Sequence, residues 1–292
     1  MSPSSLFRRA VRRLDKTISS FFYIDQWVIL IAQGVDYDAL DWAAFRPLMP
    51  EKDRYWGDPF LLMRDGQYYV FIEEKIYETG LGRIACLLLD ENGELIGHQV
   101  VLERPYHLSY PFIFEHNGAT YMLPETAGNR TVEVYRCIHF PDQWELATTL
   151  MTDIYAVDAT LFESGGKWWL FANVKETGGS SLDALHLFYA QEPLSATWTP
   201  HPRNPIVKDI RSARPGGNLF VRNGHWVRPS QDSYRRYGYA LQFNHITKLN
   251  ENEYEERNLS TFKPAGQKFL ATHTFNQAGG LTVIDAVVRR RK

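Results

Sequence analysis

The sequence predicts an all-β protein, a five-bladed β-propeller, and a recurring segment is the first reason. In its first copy Asp58 is followed by Gly66 at +8 and Glu73 at +15, with apolar and aromatic residues on both sides of the glycine. This spacing predicts a strand, a turn at the glycine and a second strand, which together form a hairpin. Four further copies open at Tyr110, Asp158, Arg214 and His273; the copy at Arg214 is shifted by two residues, and the last one is degenerate.

The period of the copies is the second reason. Their openings are separated by 52, 48, 56 and 59 residues (110−58, 158−110, 214−158, 273−214). Spacings in this range are typical of propellers and solenoids. Further strand pairs fill the intervals, for example at 83–89 and 132–136, so each unit has about four strands, as a propeller blade does.

Residues 1–25 precede the propeller and are expected to contain a basic amphipathic helix. In residues 6–22 the apolar side chains lie on one helical arc, and the basic side chains lie on the other side. The basic residues are Arg8, Arg9, Arg12, Arg13 and Lys16. Two interpretations are open: the helix packs against the propeller, or it binds an anionic membrane surface.

The propeller is expected to occupy residues 26–292. The fifth copy lacks strands, and the apolar segment 27–32 precedes the first full blade, so this segment is predicted to complete the last blade and to remove exposed sheet edges. Both chain ends would then meet at one blade. The helix would therefore lie near the basic residues 289–292, and the two could form one membrane-binding surface.

Composition argues against several functional classes. Residues 17–288 hold 23 basic (32−9) and 33 acidic (34−1) residues, a net charge of −10 that disfavours nucleic-acid binding. We see no secretory signal and no apolar run of membrane-spanning length, so a cytoplasmic location is expected, with attachment to the inner membrane face as an alternative. Cys86 and Cys137 show no metal-ligand spacing, and neither a metal nor a cofactor is predicted.

The opening strand of each blade lines the central channel, so the residues that open the copies are expected to converge on one pocket. Burying an unpaired carboxylate costs several kcal/mol, so Asp58 and Asp158 predict either a functional site or pairing with Arg214 that holds the ring closed. Glycosyl transfer uses two carboxyl groups at the bond that breaks. One stabilises or attacks the sugar carbon, and the other handles the proton of the leaving oxygen.

Four acids are the candidate catalytic residues. Asp58 is the candidate nucleophile or oxocarbenium stabiliser, Glu125 or Glu73 the acid/base, and Asp158 an orienting group or an acceptor for a ligand hydroxyl. The candidate substrate-binding residues are aromatic, cationic or polar. They are Trp56, His107, Tyr110, Arg214, Arg228, Gln231, Asp232 and His273.

Several short motifs carry a resemblance to known families. Residues 56–59 and 157–162 are similar to blade openings of the five-bladed arabinanase, invertase and levansucrase propellers. A longer series resembles the N-terminal propeller domain of plant glucosamine inositolphosphorylceramide transferases, and also bacterial stand-alone relatives associated with glycan-assembly genes. The series is Asp58-Pro59-Phe60, Glu73-Glu74, His107 to Phe112, Leu123-Pro124-Glu125, Pro200-His201-Pro202, Ala213-Arg214-Pro215, Arg228 to Asp232, Tyr237-Gly238 and Thr282 to Asp285.

The resemblance implies a role with carbohydrates and leaves three functions open. The favoured one is a glycosyltransferase-like enzyme of polysaccharide or glycolipid assembly, with a sugar donor or glycan acceptor as partner. A glycoside hydrolase of the arabinanase/invertase type is the second, although Tyr110-Pro111 stands where invertase-like enzymes carry an acid. A non-catalytic carbohydrate-binding or scaffold domain is the third.

Overall fold

A computed structural model describes residues 23–264, 266 and 268–292. Residues 1–22, which hold most of the segment predicted to contain the basic amphipathic helix, lie outside this part of the chain. Residues 23–25 belong to the first strand of the described chain.

Twenty-one strands in the described residues form five antiparallel sheets. The chain enters through β1 (Tyr23–Gln33) and β2 (Arg46–Leu48) of the last blade. Blade 1 contains β3 (Arg54–Arg64), β4 (Gln67–Ile76), β5 (Gly82–Leu89) and β6 (Leu95–Leu102), and blade 2 contains β7 (Ser109–His116), β8 (Ala119–Glu125), β9 (Thr131–His139) and β10 (Gln143–Thr152). Blade 3 contains β11 (Ala156–Ser164), β12 (Lys167–Val174), β13 (Leu185–Ala190) and β14 (Thr199–Pro200), and blade 4 contains β15 (Phe220–Arg222), β16 (His225–Asp232), β17 (Ala240–Leu249) and β18 (Tyr254–Phe262). Blade 5 contains β19 (Phe269–Ala271), β20 (Phe275–Ala278) and β21 (Leu281–Arg291), joined by β1 and β2.

The five-bladed propeller predicted from the sequence is confirmed, and so is its closure. Strand β1 pairs with β21 along its whole length, from Tyr23 opposite Arg291 to Gln33 opposite Leu281. The first strand of the described chain therefore lies inside the last blade. Short 3₁₀ helices at Trp42–Ala44 and Ala127–Asn129 interrupt the strands. In the described part of the chain, no helix is long and apolar enough to cross a membrane.

The core lies between neighbouring blades, because both faces of each sheet are covered. Alternate residues of a strand point to opposite faces. In β4, for example, Phe71 packs against Trp144 of blade 2, with ring centroids 5.7 Å apart, whereas Ile72 joins an apolar cluster with residues of blade 5 such as Ile29. This explains why the second strands are apolar on both faces rather than alternating.

The inner strands of blades 1 to 3 share an irregularity that positions the central site. Asp58, Tyr110 and Asp158 have φ values of 50°, 44° and 53°, which are uncommon for residues other than glycine. At each of them the inner strand has one residue more than its partner strand. A bulge of this kind redirects a side chain and often lies beside a functional site.

Candidate active site

In each of blades 1 to 3, a polar residue near the end of the second strand lies across from the bulge of the inner strand. The residue that precedes the bulge pairs with this polar residue in all three blades. The pairs are Gly57 with Glu73, Ser109 with Glu125, and Val157 with Asn173. Because the register is the same, these three polar side chains occupy equivalent positions around the ring.

Blades 5 and 1 meet through a buried network of four polar residues. Asp285 accepts hydrogen bonds from the backbone N–H groups of His273 (2.8 Å), Thr274 (3.1 Å) and Asp58 (3.1 Å). Its Oδ2 also lies 2.5 Å from Nδ1 of His273. The Thr274 hydroxyl donates to Oδ1 of Asp58 at 2.9 Å. We call Asp58, His273, Thr274 and Asp285 the closure network, because it joins the first blade to the last.

Aromatic side chains enclose the imidazole of His273. Trp27 stacks on it with ring centroids 4.2 Å apart, and Tyr237 contacts it edge-on at 5.3 Å. Gly238 has a φ of 58°, and a Cβ there would lie 2.8 Å from the imidazole ring, so only glycine fits. Burial works to lower the pKa of His273, but Asp285 and Asp58 outweigh it and raise this pKa to about 9. His273 is therefore an imidazolium at neutral pH.

Asp58 is the acid with a pKa close to neutrality. Burial raises its pKa most, and the charges of Asp158, Glu73 and Asp285 act in the same direction. His273, whose Nε2 lies 3.7 Å from Oδ1 of Asp58, opposes them. The result is a pKa of about 7, so Asp58 can gain and lose a proton under physiological conditions.

Blades 2, 3 and 4 meet at a second cluster built on Asp158. Arg214 donates two hydrogen bonds to its carboxylate, from Nε at 2.5 Å and Nη2 at 3.1 Å, and Gln231 donates a third at 2.8 Å. Burial raises the pKa of Glu125 well above its usual range, and the charge of Asp158 and a hydrogen bond with it add to this, while Arg214 opposes it. The raised pKa favours the protonated form of Glu125, whose Oε2 lies 3.7 Å from Nη2 of Arg214.

Tyr237 lies between the closure network and the cluster built on Asp158. It contacts His273 on one side, and the Arg214 guanidinium lies 5.1 Å from its ring centroid. Burial raises the pKa of its hydroxyl well above the usual value. Glu73 stands at the edge of the group. It accepts from the Tyr55 hydroxyl at 2.7 Å and lies 3.1 Å from Nε2 of His107. Since Nδ1 of His107 accepts from a backbone N–H, Nε2 carries the proton and donates to Glu73.

The structure therefore brings most of the residues proposed from the sequence to one place. Asp58, Glu73, Asp158, Glu125, Arg214, Gln231, His273 and His107 lie in the two connected clusters.

Arg228 and Asp232 lie elsewhere, and strand geometry explains why. Both are an odd number of residues from Gln231 in β16, so their side chains point to the opposite face of the sheet. Arg228 is fully buried and binds Glu256 through two hydrogen bonds of 2.8 and 2.6 Å. Asp232 accepts a hydrogen bond from the backbone N–H of Tyr234.

Two aromatic residues proposed to bind substrate have structural contacts. Trp56 donates to Glu74 at 3.0 Å and packs between blades 5 and 1. Tyr110 is completely buried, and its hydroxyl accepts from the backbone N–H of Gly217 at 2.9 Å. Its position is the one that the repeat predicts, but its hydroxyl is bound by Gly217, which lies just before β15 of blade 4.

Sequence reasoning did not select five residues of this site: Trp27, Asn173, Tyr237, Thr274 and Asp285. Tyr237 and Asp285 are part of the motifs that carry the family resemblance, and Asn173 ends the third copy at +15, so these three could have been found. Trp27 and Thr274 have no comparable pattern.

Among the described residues, Asp58, His273 and Asp285 offer ligand atoms within 4.8 Å of one another, as a metal site would. However, both oxygens of Asp285 accept hydrogen bonds from backbone N–H groups, and Oδ2 also faces the imidazolium. These donors occupy the lone pairs that a cation needs. The arrangement is that of an internally bonded network.

The fold defines a class, the five-bladed β-propellers. Solved structures of this class include a family 117 glycoside hydrolase from Zobellia galactanivorans, which is 12% identical with a TM-score of 0.57 over 90% of each chain. An exo-1,5-alpha-L-arabinanase from a bovine ruminal metagenomic library is 16% identical with a TM-score of 0.53, over 84% of this chain and 95% of that one. At these identities the likeness establishes the fold.

The family follows from the sequence comparison. Residues 49–274 match the family described as the N-terminal region of glucosamine inositolphosphorylceramide transferase 1, and the chain belongs to this family. It is 35% identical to the transferase of that name from Oryza sativa subsp. japonica and 33% identical to the one from Arabidopsis thaliana. Each match covers about two thirds of this chain (68% and 69%) and 27% of the relative, so the chain spans about a quarter of the length of these relatives.

Proposed function

We propose that this carbohydrate-active propeller transfers a glycosyl group from a sugar donor to a glycan or glycolipid acceptor at its central site. One observation carries the proposal: Arg214 lies between two buried acids, 3.7 Å from Glu125 and 2.5 Å from Asp158, in a site where the pKa of Glu125 is raised well above its usual range and that of Asp58 is raised to about 7. Acid/base catalysis is most effective when the pKa values of the groups lie near the working pH. The transferase names of the relatives support this function, although the chain spans only part of their length.

The two acids take complementary roles in this proposal. The bond between the anomeric carbon and the leaving oxygen breaks, and Glu125 gives its proton to that oxygen. The acceptor hydroxyl forms the new bond to the anomeric carbon and gives its proton to Asp58. Arg214 and Gln231 hold the Asp158 carboxylate in place by hydrogen bonds, and this carboxylate stabilises the positive charge that develops on the sugar ring.

A glycoside hydrolase is the second candidate, because the same acid pair would serve a water molecule as the acceptor. The solved propellers named above are glycoside hydrolases by their titles, which favours this alternative at the level of the fold. The identity of the acceptor therefore separates the two functions.

The test is an incubation of the protein with a panel of sugar nucleotides and synthetic aryl glycosides, with and without oligosaccharide acceptors, followed by mass spectrometry of the products. We expect a lengthened acceptor, and loss of turnover in Glu125→Gln and Asp58→Asn. Glu115→Gln is the control, since Glu115 is an exposed residue of blade 2 paired with Arg64, and it should retain turnover. Free sugar without a lengthened acceptor would establish the hydrolase, and sugar binding without turnover would establish a binding domain.

Membrane attachment is a separate proposal, motivated by the chain ends. Strand β1 begins at Tyr23, which pairs with Arg291, so residues 6–22 are connected to the blade that holds the basic residues 289–292. We propose that together they bind the anionic inner face of a membrane, where each free basic residue contributes about 1 kcal/mol. Arg289 is already paired with Asp25 at 3.0 Å. Flotation with anionic and neutral liposomes tests this, and equal recovery of the full chain and a variant lacking residues 1–22 would refute it.

A further inference from the structure

We propose that the Asn173 carboxamide contacts bound carbohydrate in the central site, an inference that rests on the proposed function. Asn173 is fully buried in β12, and neither its Oδ1 nor its Nδ2 has a hydrogen-bond partner among the described residues. Buried polar groups in folded proteins are almost always hydrogen-bonded, so a side chain with both ends unpaired needs a partner from outside the fold. The sequence showed Asn173 at +15 of the third copy, but its type did not mark it as catalytic.

The repeat places Asn173 beside the reactive groups. It pairs with Val157, directly before the bulge at Asp158, as Glu125 pairs with Ser109 in blade 2. Glu125 interacts with the opening residue of the following blade, which is Asp158. By the same register, Asn173 faces the blade that contributes Arg214.

Two further side chains also have a buried polar atom without a hydrogen-bond partner within the described chain. Oε2 of Glu125 and Oε1 of Gln231 are buried and have no hydrogen-bond partner in the described residues. Glu125, Asn173 and Gln231 come from three successive blades, and we call them the open set. Glu125 and Gln231 both interact with the Asp158 carboxylate, so the unpaired atoms surround one clamped charge.

The chemistry of the open set defines the ligand group that it binds. A carboxamide offers N–H donors and an acceptor oxygen side by side, and the raised pKa of Glu125 favours its uncharged form. The cation beside Glu125 is Arg214, at 3.7 Å from its Oε2, and it already donates two hydrogen bonds to Asp158. The open set therefore suits adjacent hydroxyl groups on the neutral edge of a sugar ring, whereas a phosphate would find no free cation there.

The experiment compares Asn173→Leu with Asn244→Leu. Asn244 is also a buried asparagine, but its Nδ2 donates to Ser230 at 2.8 Å and to the Arg228 carbonyl at 3.2 Å. The probes are arabinose, xylose, galactose and glucosamine, whose binding is measured by ligand-observed NMR, and stability is followed by thermal unfolding. We expect Asn173→Leu to weaken binding of the recognised sugar about tenfold, the effect of two lost hydrogen bonds, with a Tm that is unchanged or higher.

Asn244→Leu should show the opposite pattern, a lower Tm with unchanged sugar affinity. A sugar bound equally by wild type and Asn173→Leu overturns the inference and leaves the proposed function intact. If the sugar binds and Asn173→Leu weakens it, but no turnover occurs with any donor, the proposed function fails and the inference stands. If wild type binds none of the four sugars, both are wrong.

Discussion

The closure network and the open set occupy comparable places in the ring, yet their hydrogen bonding differs. In the closure network Asp285 alone accepts three backbone N–H groups and faces the imidazolium. In the open set each of the three side chains keeps a buried atom without a hydrogen-bond partner in the described chain, although Oε2 of Glu125 lies 3.7 Å from Nη2 of Arg214. Polar side chains at equivalent positions around the ring thus have two roles in this fold. Where the chain ends meet, the polar residues hold the ring closed, and on the opposite side they are free for a ligand.

The largest expected effect is a difference in unfolding free energy between two acid-to-amide substitutions, one in the closure network and one in the open set. Asp285→Asn places an NH₂ group where two acceptors are needed and leaves the His273 imidazolium without its partner, so we expect a loss of about 3–5 kcal/mol in unfolding free energy. Glu125→Gln replaces a carboxyl whose raised pKa favours the uncharged form with a neutral isostere, so the stability of the protein should change by less than about 0.5 kcal/mol while turnover is lost. Urea unfolding of both variants measures the difference.

The contrast between the closure network and the open set would be wrong if Glu125→Gln destabilised the protein as much as Asp285→Asn does. Asp25→Asn serves as the control for the amide exchange. Asp25 belongs to the same blade as Asp285, but it is paired with Arg289 on the surface, where such pairs contribute at most about 1 kcal/mol.

The second effect is a pH dependence that originates in the closure network. Because the pKa of His273 rises from 6.5 to about 9 on folding, its contribution is fully present below pH 6.5 and is lost as the pH rises through 9. We expect up to about 3 kcal/mol of stability to disappear across this window. The raised pKa of Asp58 acts in the same direction at lower pH, between about 4 and 7.

Thermal unfolding between pH 6 and 9.5 measures this slope. His273→Gln should be less stable at neutral pH and should show a flatter profile, because the titrating group is gone. His139→Gln should retain the wild-type slope, since His139 is an exposed residue paired with Asp142 on the surface. A slope that survives in His273→Gln would place the titration elsewhere.

The repeat predicted much of the fold and the centre of the site, because one residue per period must face the channel. Asp58, Asp158 and Arg214 were found in this way, and so was the closing strand. Asp285 was missed because it follows His273 by 12 residues (285−273) instead of 15, so the degenerate fifth copy conceals it. Arg228 was chosen for its charge, although strand alternation puts it on the face opposite to Gln231.

The sequence could not show which residues at the channel position have free side chains. Tyr110 illustrates this, since its hydroxyl accepts from Gly217, a residue 107 positions away (217−110) in another blade. The close approach of that glycine depends on how three blades pack together. A Cβ on Gly217 would lie 1.9 Å from the Phe275 carbonyl oxygen, so the contact also depends on blade 5.

The smallest effect tests whether Tyr110 belongs to the structure or to the ligand site. Its hydroxyl accepts from Gly217 N–H at 2.9 Å and lies 2.9 Å from the Thr160 hydroxyl, which itself donates to the Asp158 carbonyl. Tyr110→Phe leaves the Gly217 N–H buried and unpaired, so we expect a loss of about 1–2 kcal/mol in stability and no change in sugar affinity. Tyr121→Phe is the control, because the structure gives the buried Tyr121 no hydrogen bond within the described residues, and its Tm should stay at the wild-type value. If Tyr110→Phe instead weakened sugar binding at an unchanged Tm, the Tyr110 hydroxyl would face the ligand, and Tyr110 would have to be counted with the open set.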